Sequence, residues 1–136
     1  MEKNIFIKMV FLLLGILFIS SCGDSSDSLS DLLLTKDNNG QTVEIGIDNK
    51  IVIELESNPS TGYRWEHANP DGSFIYQDED STFILDPDCN GADGCGGIER
   101  LTFRAGEIGD GVISLVYHRT FEEEPSEQFS INVNVL

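Results

Sequence analysis

Short runs in which apolar and polar residues alternate, cut apart by turn-forming residues, are what most limits the folds open to this chain. A period of two puts every second side chain on one face of an extended segment, whereas a helix needs apolar residues three and four apart. Thr42 to Ile47 (TVEIGI) alternates, and Lys50 to Leu55 (KIVIEL) sets Ile51, Ile53 and Leu55 on one face. Tyr63 to Glu66, Phe74 to Tyr76, Thr82 to Leu85, Ile98 to Ala105 (IERLTFRA), Val112 to His118 (VISLVYH) and Phe129 to Val135 (FSINVNV) continue the series. Between them stand Asp48-Asn49, Pro59 to Gly62, Asn69-Pro70-Asp71-Gly72, Asp86 to Gly97, Gly106 to Gly111 and Glu122 to Glu127, rich in residues that fix φ or tolerate positive φ. Beyond residue 22 no window carries helical spacing. Seven or eight short strands of this kind predict an all-β domain, an immunoglobulin-like antiparallel β-sandwich, with a small barrel as the alternative. Trp65, the single Trp, is expected between the sheets, where it removes the largest apolar area from water.

The N-terminus is built differently. Lys3 and Lys8 give a positive start, and Met9 to Ile19 is an apolar run broken only by Gly15. Such a run suits a secretory signal and is too short, with its flanks, to span a membrane. Ile19-Ser20-Ser21-Cys22 follows, and small residues before a Cys at this point resemble the lipobox of bacterial lipoproteins. The resemblance implies cleavage before Cys22, acylation of its thiol, and a chain anchored to a membrane rather than spanning it. An ordinary signal peptide with Cys22 incidental is the other reading. Residues 23–30, GDSSDSLS, are too small, polar and acidic to repay the entropy of ordering and predict a tether. The expected organisation is a signal peptide over 1–21, a lipidated tether over 22–31 and one domain over 32–136. The implied location is the bacterial cell envelope, on the outer membrane or the cell surface, and Gly23 after Cys22 gives no sign of retention at the inner membrane.

Taking two Lys and one Glu from the 8 basic and 24 acidic residues leaves 6 and 23, a formal charge of −17 for the chain from Cys22 onward. That excludes nucleic acid as a partner, because phosphates are bound by Lys and Arg that displace counterions. It favours solubility, with steering toward a basic partner as the other reading. Cys89 and Cys95 remain, and an even count within six residues of an exported chain suggests one small ring, with two free thiols as the alternative. Ser60, Thr61, His67 and His118 could serve a hydrolase, yet no Gly-x-Ser-x-Gly elbow exists and no nucleophile, base and orienting group can be named together. No enzyme and no cofactor is expected. Asp86-Pro87-Asp88-Cys89-Asn90-Gly91 spaces oxygen ligands as a calcium loop does, but position 12 is Gly97 rather than a bidentate Glu, so no metal is expected. No internal repeat is present, and a monomer is expected.

In a sandwich the loops joining alternate strand pairs gather at one end, where such folds recognise partners. Even numbers of strand passes separate the turn at 57–62, the loop at 86–97 and the turn after Tyr117, so the three should share one edge. Their residues are Asn58-Pro59-Ser60-Thr61-Gly62-Tyr63, then Gly94-Cys95-Gly96-Gly97, then Tyr117-His118-Arg119-Thr120-Phe121. These resemble the three signature loops of the chagasin family of cysteine-peptidase inhibitors, whose patterns in this order are Asn-Pro-Ser/Thr-Thr-Gly-Tyr/Phe, Gly-x-Gly-Gly and Arg-Pro-Trp. The likeness covers residues 33–136. Thr120 stands where Pro is expected and Phe121 where Trp is, which frees the loop and trades an indole for a smaller ring without an N–H.

The resemblance implies an immunoglobulin-like sandwich whose loops wedge reversibly into the cleft of papain-like peptidases without being cut. Asn58 to Gly62 would face the catalytic Cys and His, with Pro59 stiffening the tip and the Ser60 and Thr61 hydroxyls offered there. Gly94 to Gly97 would lie along the cleft, backbone to backbone, and a Cys89–Cys95 disulfide would preorganise that loop. Arg119 and Phe121 would anchor the other side. A lipid-anchored binding module with a non-peptidase partner is the alternative.

Overall fold

The computed structural model describes residues 31–68, 74–90 and 92–136. The expected signal peptide, the acylated Cys22, most of the tether, the turn Asn69-Pro70-Asp71-Gly72 and Gly91 lie outside the described residues.

Nine strands form among them: β1 Leu32–Thr35, β2 Thr42–Ile45, β3 Lys50–Ser57, β4 Arg64–His67, β5 Ile75–Gln77, β6 Thr82–Leu85, β7 Gly97–Ala105, β8 Gly109–His118 and β9 Glu127–Val135. One sheet runs β1-β3-β7, with β5 and β6 both against β7, and the other runs β2-β9-β8-β4. The alternation that defines each strand also fills the space between the sheets. Ile51, Ile53 and Leu55 of β3 and Leu101, Phe103 and Ala105 of β7 meet Ile113 and Leu115 of β8 and Phe129, Ile131, Val133 and Val135 of β9, all buried. Trp65 lies in this core at 5% exposure, and its indole N–H donates to the Glu56 carbonyl at 2.9 Å.

The sandwich departs from the sequence reading in three places. It is mixed rather than wholly antiparallel, because β1 pairs with β3 and β2 with β9 in parallel. The cause is the chain path: β1 crosses to the second sheet as β2 and returns as β3, so two reversals leave β1 and β3 running the same way. Strand β1 was itself not expected, since Leu32-Leu33-Leu34 is an unbroken apolar run without alternation. Strand β8 begins at Gly109, inside the stretch read as a turn, where a Cβ on Gly111 would overlap the Phe74 ring. β6 forms where a strand was expected, with all four of its residues exposed, as an edge strand allows.

His67 is partly buried, edge-on to Phe103 at 5.1 Å. Neither ring nitrogen finds a hydrogen-bond partner among the described residues. Burial holds its imidazole below the ordinary value near 6.5.

Candidate functional site

The three loops gather at one end. β3 and β6 run the same way because both pair antiparallel with β7, and the end of β8 in the other sheet lies beside them, since Asn58 N–H reaches the Tyr117 hydroxyl and Arg119 Nε reaches the Thr61 carbonyl.

Loop 1 begins at Asn58, whose N–H donates to the Tyr117 hydroxyl at 2.8 Å. Pro59–Thr61 makes a single 3-10 turn, closed by Thr61 N–H to the Asn58 carbonyl at 3.0 Å and Gly62 N–H to the Pro59 carbonyl at 2.9 Å. Gly62 ends the turn at φ +85°, where any other residue would be strained. The hydroxyls are committed inward: Ser60 Oγ donates to Asn58 Oδ1 at 2.5 Å and Thr61 Oγ1 to the Asn58 carbonyl at 2.6 Å. Both residues are exposed, so what they offer outward is lone pairs, not protons. The turn is therefore ordered before any partner arrives.

Loop 2 is tied to loop 1 by the Asn58 side-chain amide, which donates to the Gly94 carbonyl at 2.9 Å. A disulfide joins Cys89 to Cys95 across a Cα separation of 6.0 Å. The Asp86 carboxylate accepts from Asp88 N–H at 2.9 Å, capping the turn Pro87–Cys89. Among the described residues no group of three or more His, Cys, Asp or Glu could hold a metal ion. The glycines divide by role. Gly94 stands exposed at φ +83°, whereas Gly97 is already the first residue of β7, and a Cβ there would overlap the Ile84 carbonyl and the Phe83 ring. Gly97 thus lacks a side chain so that β6 can lie against β7.

Loop 3 turns without its Pro, through Glu122 N–H to the Arg119 carbonyl at 3.0 Å. Arg119 faces its own domain. Its Nε donates to the Thr61 carbonyl at 3.0 Å, its guanidinium stacks 4.4 Å from the Tyr63 ring centre, and Nη1 lies 3.5 Å from the Glu122 carboxylate. The Tyr63 hydroxyl donates to the same carboxylate at 3.3 Å, which raises its pKa above the ordinary phenol value. Tyr63, Tyr117 and Trp65 stack in sequence at 5.2 and 5.0 Å and root the tip in the core. Thr120 is exposed, and Phe121 is 80% exposed, an isolated apolar ring at the edge of the cluster. His118 lies 3.0 Å from Glu66 on the flank.

One residue of this end was missed by sequence reasoning. Glu99 is 4% exposed, and its carboxylate accepts from Ser57 Oγ, Trp65 N–H and Ser81 Oγ. The signal was available: in IERLTFRA it occupies the inward register of Leu101 and Phe103, where a charge is out of place.

A sandwich that gathers three ordered loops at one end presents a surface suited to recognising a partner. Comparison with known proteins narrows this. The family model described as Chagasin family peptidase inhibitor I42 matches residues 44–133. Amoebiasin-1 of Entamoeba histolytica is 32% identical over 103 residues, spanning 75% of this chain and 97% of that protein. Among solved structures, the cysteine protease inhibitor EhICP2 from Entamoeba histolytica superposes with a TM-score of 0.67 at 26% identity, covering 79% of this chain and 96% of that one. The solution structure of Amebosin gives 0.65 at 30% identity, covering 78% and 98%. The chain belongs to the chagasin family of peptidase inhibitors, and is an inhibitor rather than an enzyme.

Proposed function

We propose that this protein inhibits papain-like cysteine peptidases by laying its three loops across the active-site cleft, reversibly and without a covalent bond. The observation that carries the mechanism is the bonding of loop 1. A peptidase cuts a segment that it binds extended, but Pro59–Thr61 is a closed turn whose Thr61 and Gly62 amides are already engaged. The tip can therefore fill the space before the catalytic Cys and His while withholding an extended peptide bond from attack. Because the turn is ordered beforehand, little conformational entropy is lost on binding. Asn58 to Tyr63 form the central contact, Gly94 to Gly97 lie along the cleft beside them, and Arg119, Thr120 and Phe121 flank the other side. Within that set the roles differ: Arg119 holds loop 1 to loop 3, and Phe121 supplies the apolar anchor. Family membership favours this over a binding module with a non-peptidase partner.

The chain acts as a monomer held at the bacterial cell envelope, on the outer membrane or cell surface, by a lipid on Cys22. The sequence Ile19-Ser20-Ser21-Cys22 after an apolar run supports this reading. Replacing Cys22 by Ser should release the protein from the membrane fraction, and its retention there would contradict the anchor. For inhibition, titrating papain or a cathepsin with the protein should abolish activity at micromolar or lower concentration, with recovery on dilution. Undiminished activity at that concentration would overturn the proposal.

A further inference from the structure

We propose that Glu99 is a positioning residue for loop 1: its buried carboxylate sets the spacing of the two stems from which the Asn58–Gly62 tip springs. This rests on the reading that the tip enters a peptidase cleft. Ser57, the last residue of β3, donates its hydroxyl to Oε2 of Glu99 at 2.8 Å, and Trp65 of β4 donates its backbone N–H to the same oxygen at 3.1 Å. β3 and β4 belong to opposite sheets, and loop 1 is the stretch of chain that passes between them. One oxygen thus joins the two sheets at the point where the loop leaves one and enters the other. Oε1 accepts from Ser81 Oγ at 3.0 Å, just before β6, and that third bond fixes the rotation of the carboxyl group.

Stability alone would not select a carboxylate here. Glu99 is 4% exposed, and among the described residues no Lys, Arg or His forms an ion pair with it. Burying a carboxylate is costly, and replacing it together with its donors by apolar residues of similar volume is often as stable or more so. What an apolar residue lacks is direction: it cannot hold three donors from three segments at fixed distances. Only seven residues, Asn58 to Arg64, separate Ser57 from Trp65. Once the stem spacing is free to vary, the tip shifts and its two closing hydrogen bonds open more often. Asn58 would carry the displacement to loop 2 through its bond to the Gly94 carbonyl.

The test compares Glu99→Leu, Glu99→Gln and Ser57→Ala with Val133→Ala, a core truncation in the part of β9 that pairs with Gly111, away from loop 3. Each full-length variant is read by Ki against papain, by Tm, and by amide hydrogen exchange at Thr61 and Gly62. Glu99→Leu should raise Ki at least about tenfold through faster dissociation and speed exchange at both amides, with a fall in Tm, from the donors left unpaired, comparable to that of Val133→Ala. Glu99→Gln retains a carbonyl acceptor and should recover part of the effect. Ser57→Ala removes one stem bond, leaves the carboxylate in place, and should move Ki the same way by less. Val133→Ala should lower Tm and leave Ki within about twofold. Wild-type Ki and exchange in both Glu99 variants would overturn the proposal. So would Ki losses that track Tm equally in Val133→Ala, since Glu99 would then be an ordinary core residue. Should Glu99→Leu fail to fold, Ser57→Ala decides. Should the wild-type protein inhibit no papain-like peptidase, the functional reading fails, and exchange at Thr61 and Gly62 still decides the role of Glu99.

Discussion

Replacing Phe121 by Ala should weaken inhibition and leave the fold untouched, a separation that follows from its exposure. Full burial of a Phe side chain contributes about 1.5–3 kcal/mol. With 80% of Phe121 exposed in the free protein, about four-fifths of that remains to be gained on binding, or about 1.2–2.4 kcal/mol. Lost on truncation, it corresponds to a Ki raised about 7- to 50-fold. The ring is 80% exposed, with the Arg119 guanidinium 6.0 Å from its centre, so unfolding free energy should stay within about 0.5 kcal/mol. Progress curves against papain at several inhibitor concentrations would separate the rates, and the loss should fall on dissociation. Phe121→Trp should act in the opposite direction, because a larger ring buries more area. A Ki within twofold of wild type for Phe121→Ala would refute the assignment of this ring as an anchor. A fall in both Ki-derived affinity and Tm would show that its effect runs through folding.

Three other outcomes are expected. Gly97→Ala should destabilise the fold by about 1–3 kcal/mol, seen as a lower Tm, because its Cβ would meet the Ile84 carbonyl; unchanged melting would contradict the tight approach of β6 to β7. Replacing Thr61 by Arg should abolish inhibition and preserve Tm, since the residue is exposed at the tip; retained inhibition would remove loop 1 from the contact. Because burial depresses the His67 pKa, the unfolded chain binds more protons below about pH 6.5; stability should be full above that value and decline as pH drops below it. His67→Leu should remove that decline in denaturant titrations at pH 7 and pH 5, and an equal decline in the variant would assign it elsewhere.

The strands with clean alternation, β3, β7, β8 and β9, were legible in the sequence because a buried face repeats every second residue. β1 was not, since three consecutive leucines carry no period, and its parallel pairing depends on chain path rather than on composition. The β8 start was hidden by glycines that serve the packing of Phe74 instead of a turn. Within the candidate site, the count of strand passes placed the three loops at one end of the sandwich, where they lie together, and the short spacing of Cys89 and Cys95 suggested the ring that the structure closes. The division of labour could not be read there. Nothing in the residue Arg119 says that its guanidinium lies on Tyr63, or in Gly97 that its bareness serves β6. Such assignments depend on partners brought from 58 residues away, as Arg119 and Thr61 are.

The central claim is that the loop cluster covers the catalytic thiol of a papain-like peptidase without reacting with it. Alkylation of that thiol by iodoacetamide, followed by mass spectrometry with the inhibitor at saturation, tests it directly. The account predicts that only the small fraction of free enzyme is alkylated, that the recovered inhibitor is intact, and that no adduct between the chains is found. Alkylation at the full rate of free enzyme while the complex persists, or an inhibitor cleaved within Asn58 to Gly62, would contradict it.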